Sequence, residues 1–218
     1  PDADIDKVAD GIVAGMTTLN GQWCRALGRL VVHESIQDQV VNAAMEKFKS
    51  LKVGDALSME SQLGPLANAA HHGRIVDAVN ALKAKGGQTH HTAPTPDSAG
   101  YYLSPTLITG VAPEETLEEI FGPVATVHSF KTDEEAVKLA NQTPYGIGGY
   151  VFSKDEDHAM QVARQMNTGG VKVNGVSLLE LNVDAPRPAW GLSGFGEEGT
   201  LETFDVFCGK SVVGIAGK

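Results

Sequence analysis

Over residues 4–16 the apolar side chains Ile5, Val8, Ile12, Val13 and Met16 recur at the spacing of one helix face, with Asp2 or Asp4 placed as an N-cap. Gly21 breaks the pattern. Leu30-Val31-Val32 then predicts a short buried strand, after which Ser35 opens a helix with Ile36, Val40, Ala44, Phe48 and Leu51 on one face. Beyond the Gly64-Pro65 loop, Ile75, Val79 and Leu82 line another helix, which stops at the C-cap signal Gly86-Gly87. A Pro- and Ser-containing surface loop is predicted over 92–100, followed by an extended segment over 101–107. Pro113 starts a short helix that should carry Glu118, Glu119, Ile120 and Phe121. Strands are predicted over 123–130, 147–152 and 170–174. Thr132 or Asp133 caps a helix reaching Ala140, and Ser153 caps one reaching Met166. Residues 175–188 have no clean period and read as a long functional loop. No internal repeat or low-complexity tract is visible. Alternating strand and helix predicts an α/β fold around a mostly parallel sheet.

Composition narrows the function class. The chain has 218 residues, is 42% hydrophobic and 20% charged, and carries a net charge of −10 from 17 basic and 27 acidic residues. No basic stripe is available to neutralise phosphates, which argues against nucleic-acid and anionic-membrane partners. No apolar run approaches a membrane span, and no signal segment is visible at the start. Cys24 and Cys208 are too few for a disulfide framework, so a thiol-reducing, cytoplasmic setting is expected. The chain begins at Pro1, not at Met, and is expected to be a piece of a longer protein.

Two motifs carry the chemistry. Asn20-Gly21-Gln22-Trp23-Cys24 places a thiol after a Gly-Gln turn between a predicted helix and strand, where a side chain can be presented to a cleft. A free cysteine is by default a small buried hydrophobe. Cys208, in the strand-like run Val206-Phe207-Cys208, keeps that reading. Far downstream lies Glu118-Glu119-Ile120-Phe121-Gly122-Pro123-Val124. Together the motifs resemble the aldehyde dehydrogenase superfamily, specifically its C-terminal, catalytic half, over nearly the whole chain.

The resemblance implies that Cys24 is the nucleophile, attacking an aldehyde to give a thiohemiacetal and then a thioester that water hydrolyses. It implies that the Cys24 backbone N–H contributes to an oxyanion hole. It also implies that Glu119 accepts hydrogen bonds from the nicotinamide ribose of NAD or NADP, and that Phe121 packs beside the nicotinamide. A carboxylate suits a vicinal diol because it offers two acceptor oxygens. Glu118 is expected to be a solvated acid at a helix start. Trp23 and Arg25 flank the nucleophile as substrate-lining residues, with simple packing of the indole an equal alternative. Asn174 is expected to support the site, with a strand-end cap as its competitor. Many relatives have Asn two residues before the motif Gly; here that position is Leu19, and Asn20 adjoins Gly21. Arg187 stands where many relatives have an aromatic residue, so it could meet an acidic substrate end or lie on the surface.

Several features look functional and are expected not to be. Gly194-Phe195-Gly196-Glu197-Glu198-Gly199 matches a dinucleotide fingerprint but follows no apolar strand, and reads as a structural turn. The pairs His71-His72 and His90-His91 diverge and lack a third ligand at suitable spacing, so no metal is expected and both are read as solvated surface.

The resemblance further implies domains at 1–200 (catalytic) and 201–218 (oligomerisation), the latter with a pairing strand over 205–213. It implies an aldehyde substrate, a homo-oligomer, and an N-terminal cofactor-binding partner domain that also supplies the general base. The chain alone is expected to expose apolar surface where that domain docks and to lack hydride transfer. CoA-acylating chemistry, a non-catalytic assembly module and a free-standing thiol hydrolase stay open as alternatives.

Overall fold

The computed structural model describes residues 1–97, 99–176 and 185–217. Helix α1 (Ile5–Thr17) begins at Asp4, whose carboxylate accepts the N–H groups of Asp6 and Lys7. Strand β1 (Arg29–His33) leads into α2 (Gln37–Lys49). Ser35 does not cap that helix; its hydroxyl pairs with His33 Nδ1 at 2.8 Å, and Ile36 occupies the cap position. Helix α3 (Ala69–Ala84) starts at the Asn68 cap, and Gly86 follows its end at φ +98°. Two strands, β2 (Gln88–His90) and β3 (Thr106–Thr109), precede β4 (Val124–Phe130). Helix α4 (Asp133–Ala140) is capped by the Thr132 side chain. Then come β5 (Tyr145–Gly146), β6 (Gly149–Val151), α5 (Glu156–Ala163) and β7 (Val171–Val173). The last elements are β8 (Arg187–Pro188), β9 (Trp190–Gly191), β10 (Glu197–Glu198) and α6 (Thr200–Phe207).

The main sheet has strand order β1-β4-β3-β2. The β1–β4 and β4–β3 pairs are parallel, with Leu30 opposite Val127 and Leu107 opposite Ala125; the β3–β2 pair is antiparallel. β4 is buried along Val124, Ala125, Thr126, Val127 and His128, as expected of a parallel strand covered on both faces. On one face Val32, Leu107, Ala125 and Val127 pack against α1 and α2 through Ile12, Met16, Val40 and Phe48. On the other, Ile108 and Val124 meet Ile75 and Leu82 of α3. β6 and β7 form a separate parallel pair, while β5–β9 and β8–β10 are short antiparallel ladders. The α/β expectation with mainly parallel pairing is met.

Four further expectations are corrected. Ser153 does not cap α5: Asp155 does, and the buried Ser153 hydroxyl donates to the Asp2 carboxylate, which also accepts Lys154 and Asp155 N–H groups. Those bonds, the Ser153 hydroxyl foremost, hold the Asp2 carboxyl below its usual pKa. The helix from Pro113 is a 3-10 turn, Pro113–Thr116, which ends before the Glu118-Glu119-Ile120-Phe121 motif. Phe121 has φ +59°, which a continuing helix could not accommodate. Residues 205–207 end α6 and 208–217 form no strand within this chain, so the expected C-terminal strand is not an element of this structure. Cys208 is exposed, not buried. Of the loop expected over 175–188, residues 177–184 lie outside the described residues. Among the described residues, no helix is long and apolar enough to cross a membrane, and no cluster of His, Cys, Asp or Glu could hold a metal.

Candidate active site

The site is built on the turn after α1. Leu19, Asn20 and Gly21 all have positive φ, at 48°, 58° and 69°. Such a run is strained for leucine and needs outside support. Asn20 supplies it: its amide oxygen accepts the Gly64 N–H at 2.7 Å and its amide nitrogen donates to Pro65 O at 3.1 Å. Gln22 Oε1 accepts the Ala67 N–H at 3.0 Å. Asn20 and Gln22 therefore bind the turn to the loop that enters α3.

Gly21 also brings the motifs together. A Cβ there would lie 2.6 Å from Gly122 C and Pro123 N, so the Cys24 turn sits backbone against backbone on the Phe121-Gly122-Pro123 corner. Glycine is required twice over, by the positive φ and by the close approach. Gly122 is pressed from the other side, where a Cβ would meet Ile75 Cδ1 at 2.4 Å.

Cys24, Glu119 and Phe121 all line one cavity of about 520 Å³ beside β1 and the 145–152 stretch. Cys24 is exposed. Glu119 is exposed over much of its surface, yet partial burial of its carboxyl raises its pKa above the usual carboxylate range. Phe121, 37% exposed, stands edge-on to His71 with ring centroids 6.4 Å apart. Glu118 is not at a helix start: its carboxylate accepts the Tyr145 hydroxyl at 3.3 Å.

The other predicted site residues face elsewhere. Trp23 is 6% exposed and its indole N–H donates to Gly15 O at 3.4 Å, a packing position under α1. The Arg25 side chain lies against Gly148, and its backbone carbonyl accepts the Tyr150 hydroxyl at 2.9 Å. Burial pushes the Tyr150 phenol up to about 12; Arg25 opposes this and the charge of Cys24 adds to it. Asn174 has φ +57°, and its amide oxygen accepts Ser153 N–H at 3.0 Å while its amide nitrogen donates to Ser153 O at 2.9 Å. These are the bonds of a strand-end cap. Leu192-Ser193-Gly194 forms a turn tied to 144–146: Ser193 Oγ accepts the Gly146 N–H and Leu192 N–H donates to Pro144 O.

Sequence reasoning missed two supports. His71, read as solvated surface, is half-buried, and its Nε2 lies 2.9 Å from Phe121 O. Arg29 on β1 donates to Pro113 O, Thr116 O and Leu139 O, tying the 3-10 turn before the motif to α4. Partners so distant in sequence leave no local signal.

Comparison with known proteins accords with this geometry. The aldehyde dehydrogenase family model matches residues 1–213. The chain is 38% identical over 207 residues to aldehyde dehydrogenase 1 of Tanacetum cinerariifolium, covering 94% of this chain and 41% of that protein. It is 35% identical over 201 residues to the peroxisomal aminoaldehyde dehydrogenase 1 of Pisum sativum, covering 90% and 40%. The NAD-dependent aldehyde dehydrogenase of Sinorhizobium meliloti superposes with a TM-score of 0.87 at 33% identity, over 94% of this chain and 41% of that one. A betaine aldehyde dehydrogenase of Staphylococcus aureus, solved with NAD+, gives 0.86 at 32% identity, over 94% and 42%. The chain thus spans about 40% of the length of these relatives. With its two motifs packed against each other at one cavity, this chain belongs to the aldehyde dehydrogenase family.

Proposed function

We propose that the chain is the catalytic part of an NAD(P)-dependent aldehyde dehydrogenase, with Cys24 as nucleophile and residues 1–200 as the catalytic domain. The observation that carries this reading is the shared cavity of Cys24, Glu119 and Phe121, held together by the Gly21–Gly122 contact. The donor set suits the nicotinamide-riboside end of the cofactor. Glu119 offers acceptor oxygens for ribose hydroxyls, and Phe121 offers an exposed ring beside them. When bound there, the cofactor supplies the acceptor for the electrons of aldehyde oxidation.

The chain's own residues supply the nucleophile and one oxyanion donor. The Cys24 thiolate adds to the carbonyl carbon, and the sulfur then retains the carbon as a thiohemiacetal and, after oxidation, as a thioester. The Cys24 backbone N–H is a donor for the developing oxyanion. Water releases the carboxylic acid and regenerates the thiol. The Tyr150 hydroxyl donates to Arg25 O and braces the residue after the nucleophile.

The C-terminal arm suits a second role. Phe195, Phe204, Phe207, Val212 and Val213 are all at least 68% exposed, an apolar surface that fits a subunit or domain contact. Residues 201–218 are read as the oligomerisation segment. The free thiols fit a cytoplasmic setting, although relatives include cytosolic, peroxisomal and chloroplastic forms.

Two measurements test the reading. In the full-length protein carrying these residues, Cys24→Ser should reduce aldehyde-dependent NADH formation by more than about a thousandfold. Retention of activity would refute the nucleophile. The purified 218-residue chain should be alkylated at Cys24 by iodoacetamide yet give no NAD reduction with a panel of aldehydes. Robust turnover by this chain would overturn the division of labour.

A further inference from the structure

We infer that His71 is a positioning residue for the Glu119–Phe121 side of the cavity, holding the Phe121 carbonyl with a proton on Nε2. The inference rests on the functional reading above and extends it to a helix that neither motif includes. His71 lies in the first turn of α3, where its backbone N–H donates to the Asn68 cap at 2.9 Å. Its Nδ1 faces the Arg74 guanidinium on the same helix. A guanidinium donates and cannot accept, so Nδ1 must be the unprotonated, accepting nitrogen. The neutral ring's hydrogen is then on Nε2, where it donates to Phe121 O at 2.9 Å.

The carbonyl it holds needs holding. Phe121 has φ +59°, a conformation costly for a bulky residue and retained only where the surroundings demand it. One helical turn on from His71, Ile75 presses against Gly122. The His71 ring also stands edge-on to the Phe121 ring. The first two turns of α3 therefore fix the corner from which Phe121 and, two residues earlier, Glu119 address the cavity. Because Asn20 and Gln22 bind the loop entering the same helix, α3 sets the nucleophile turn and the proposed ribose-binding segment in one frame.

The test has a spectroscopic and a kinetic arm. Long-range proton–nitrogen NMR of the 218-residue chain at neutral pH should show His71 with Nε2 protonated and Nδ1 bare, and Arg74→Ala should mix the tautomers. A His71 protonated on Nδ1 would overturn the inference while leaving the role of Cys24 intact. In the full-length protein, His71→Phe keeps a ring but loses the donor, and should raise the KM for NAD+ about fivefold, the value of one neutral hydrogen bond. The KM for aldehyde and the rate of Cys24 alkylation should stay within about twofold, and His71→Gln, which keeps an N–H donor, should recover most of the loss. An unchanged cofactor KM in His71→Phe, or equal damage in His71→Gln, would sink the inference. Loss of the Cys24 dependence of turnover would instead sink the functional reading, and the NMR result would stand alone.

Discussion

The turn at Cys24 and the arm beyond Gly194 are built on opposite plans. Around Cys24 the polar side chains of Asn20 and Gln22 bind backbone groups far along the chain, Asn20 to Gly64 and Pro65 and Gln22 to Ala67, while the buried Trp23 indole reaches back to Gly15 of α1. The arm carries large apolar side chains into water, with Phe195 fully exposed and Phe207 84% exposed, and its last ten described residues pair with nothing regular. The first region is complete in its own contacts. The second has an unpartnered surface. A site on which chemistry is proposed needs precise geometry, whereas a surface proposed to meet a partner can obtain its order from what it meets.

The largest break in that comparison should come from adding a methyl group on each side of it. Gly21→Ala forces a Cβ into Gly122 and Pro123 at a positive φ, and should cost about 3 kcal/mol in urea unfolding of the chain. Gly209→Ala, with nothing within 4 Å of the new carbon, should stay within about 0.5 kcal/mol. Equal effects at the two positions would erase the contrast.

Acid should separate the regions next. His128 is 4% exposed, bonded to the hydroxyls of Thr116 and Thr126. Burial first, and the nearby Arg29 second, push its pKa down to about 4. The unfolded chain takes up this proton near pH 6.5 and the folded chain resists until about 4. The contribution of His128 to stability is therefore full above pH 6.5 and falls as pH drops through that window, by up to about 3 kcal/mol. His128→Gln, in the packed sheet, should flatten this slope in pH-dependent urea titrations. An unchanged slope would remove His128 as the cause.

The smallest effect on folding should be the most visible in association. Phe207→Asp, on the exposed arm, should leave the unfolding midpoint of the chain within about 0.5 kcal/mol of wild type. In sedimentation of the full-length protein it should shift oligomers toward smaller species. An unaltered distribution would argue that the arm is not the contact surface.

Where a residue's partner is close in sequence, the amino-acid pattern is mostly a sound guide, the exception being Ser35, which turns back to His33 instead of capping α2. Asp4 and Thr132 cap the helices they precede, and Leu30-Val31-Val32 forms β1. The parallel order followed from alternating apolar periods. Failures cluster where partners are remote. Ser153 was expected to cap a helix, but Asp2 at the far end of the chain claims its hydroxyl. The Glu118–Phe121 segment was expected on a helix, but Gly122 is pinned between Gly21 and Ile75, and Phe121 turns left-handed. Asn174 and Trp23 were legible as neighbours of the site, yet their polar atoms serve Ser153 and Gly15. His71 had no legible role, since its meaning depends on a carbonyl fifty residues away.

The approach of Gly21 to Gly122 makes the placement of Cys24 a property of the whole domain. Local forces can wind α1 early, but the strained bend after it has no seat until the sheet has brought β4 alongside β1 and α3 has docked on top. The position of the Cys24 sulfur therefore depends on long-range packing that the residues around it cannot supply by themselves.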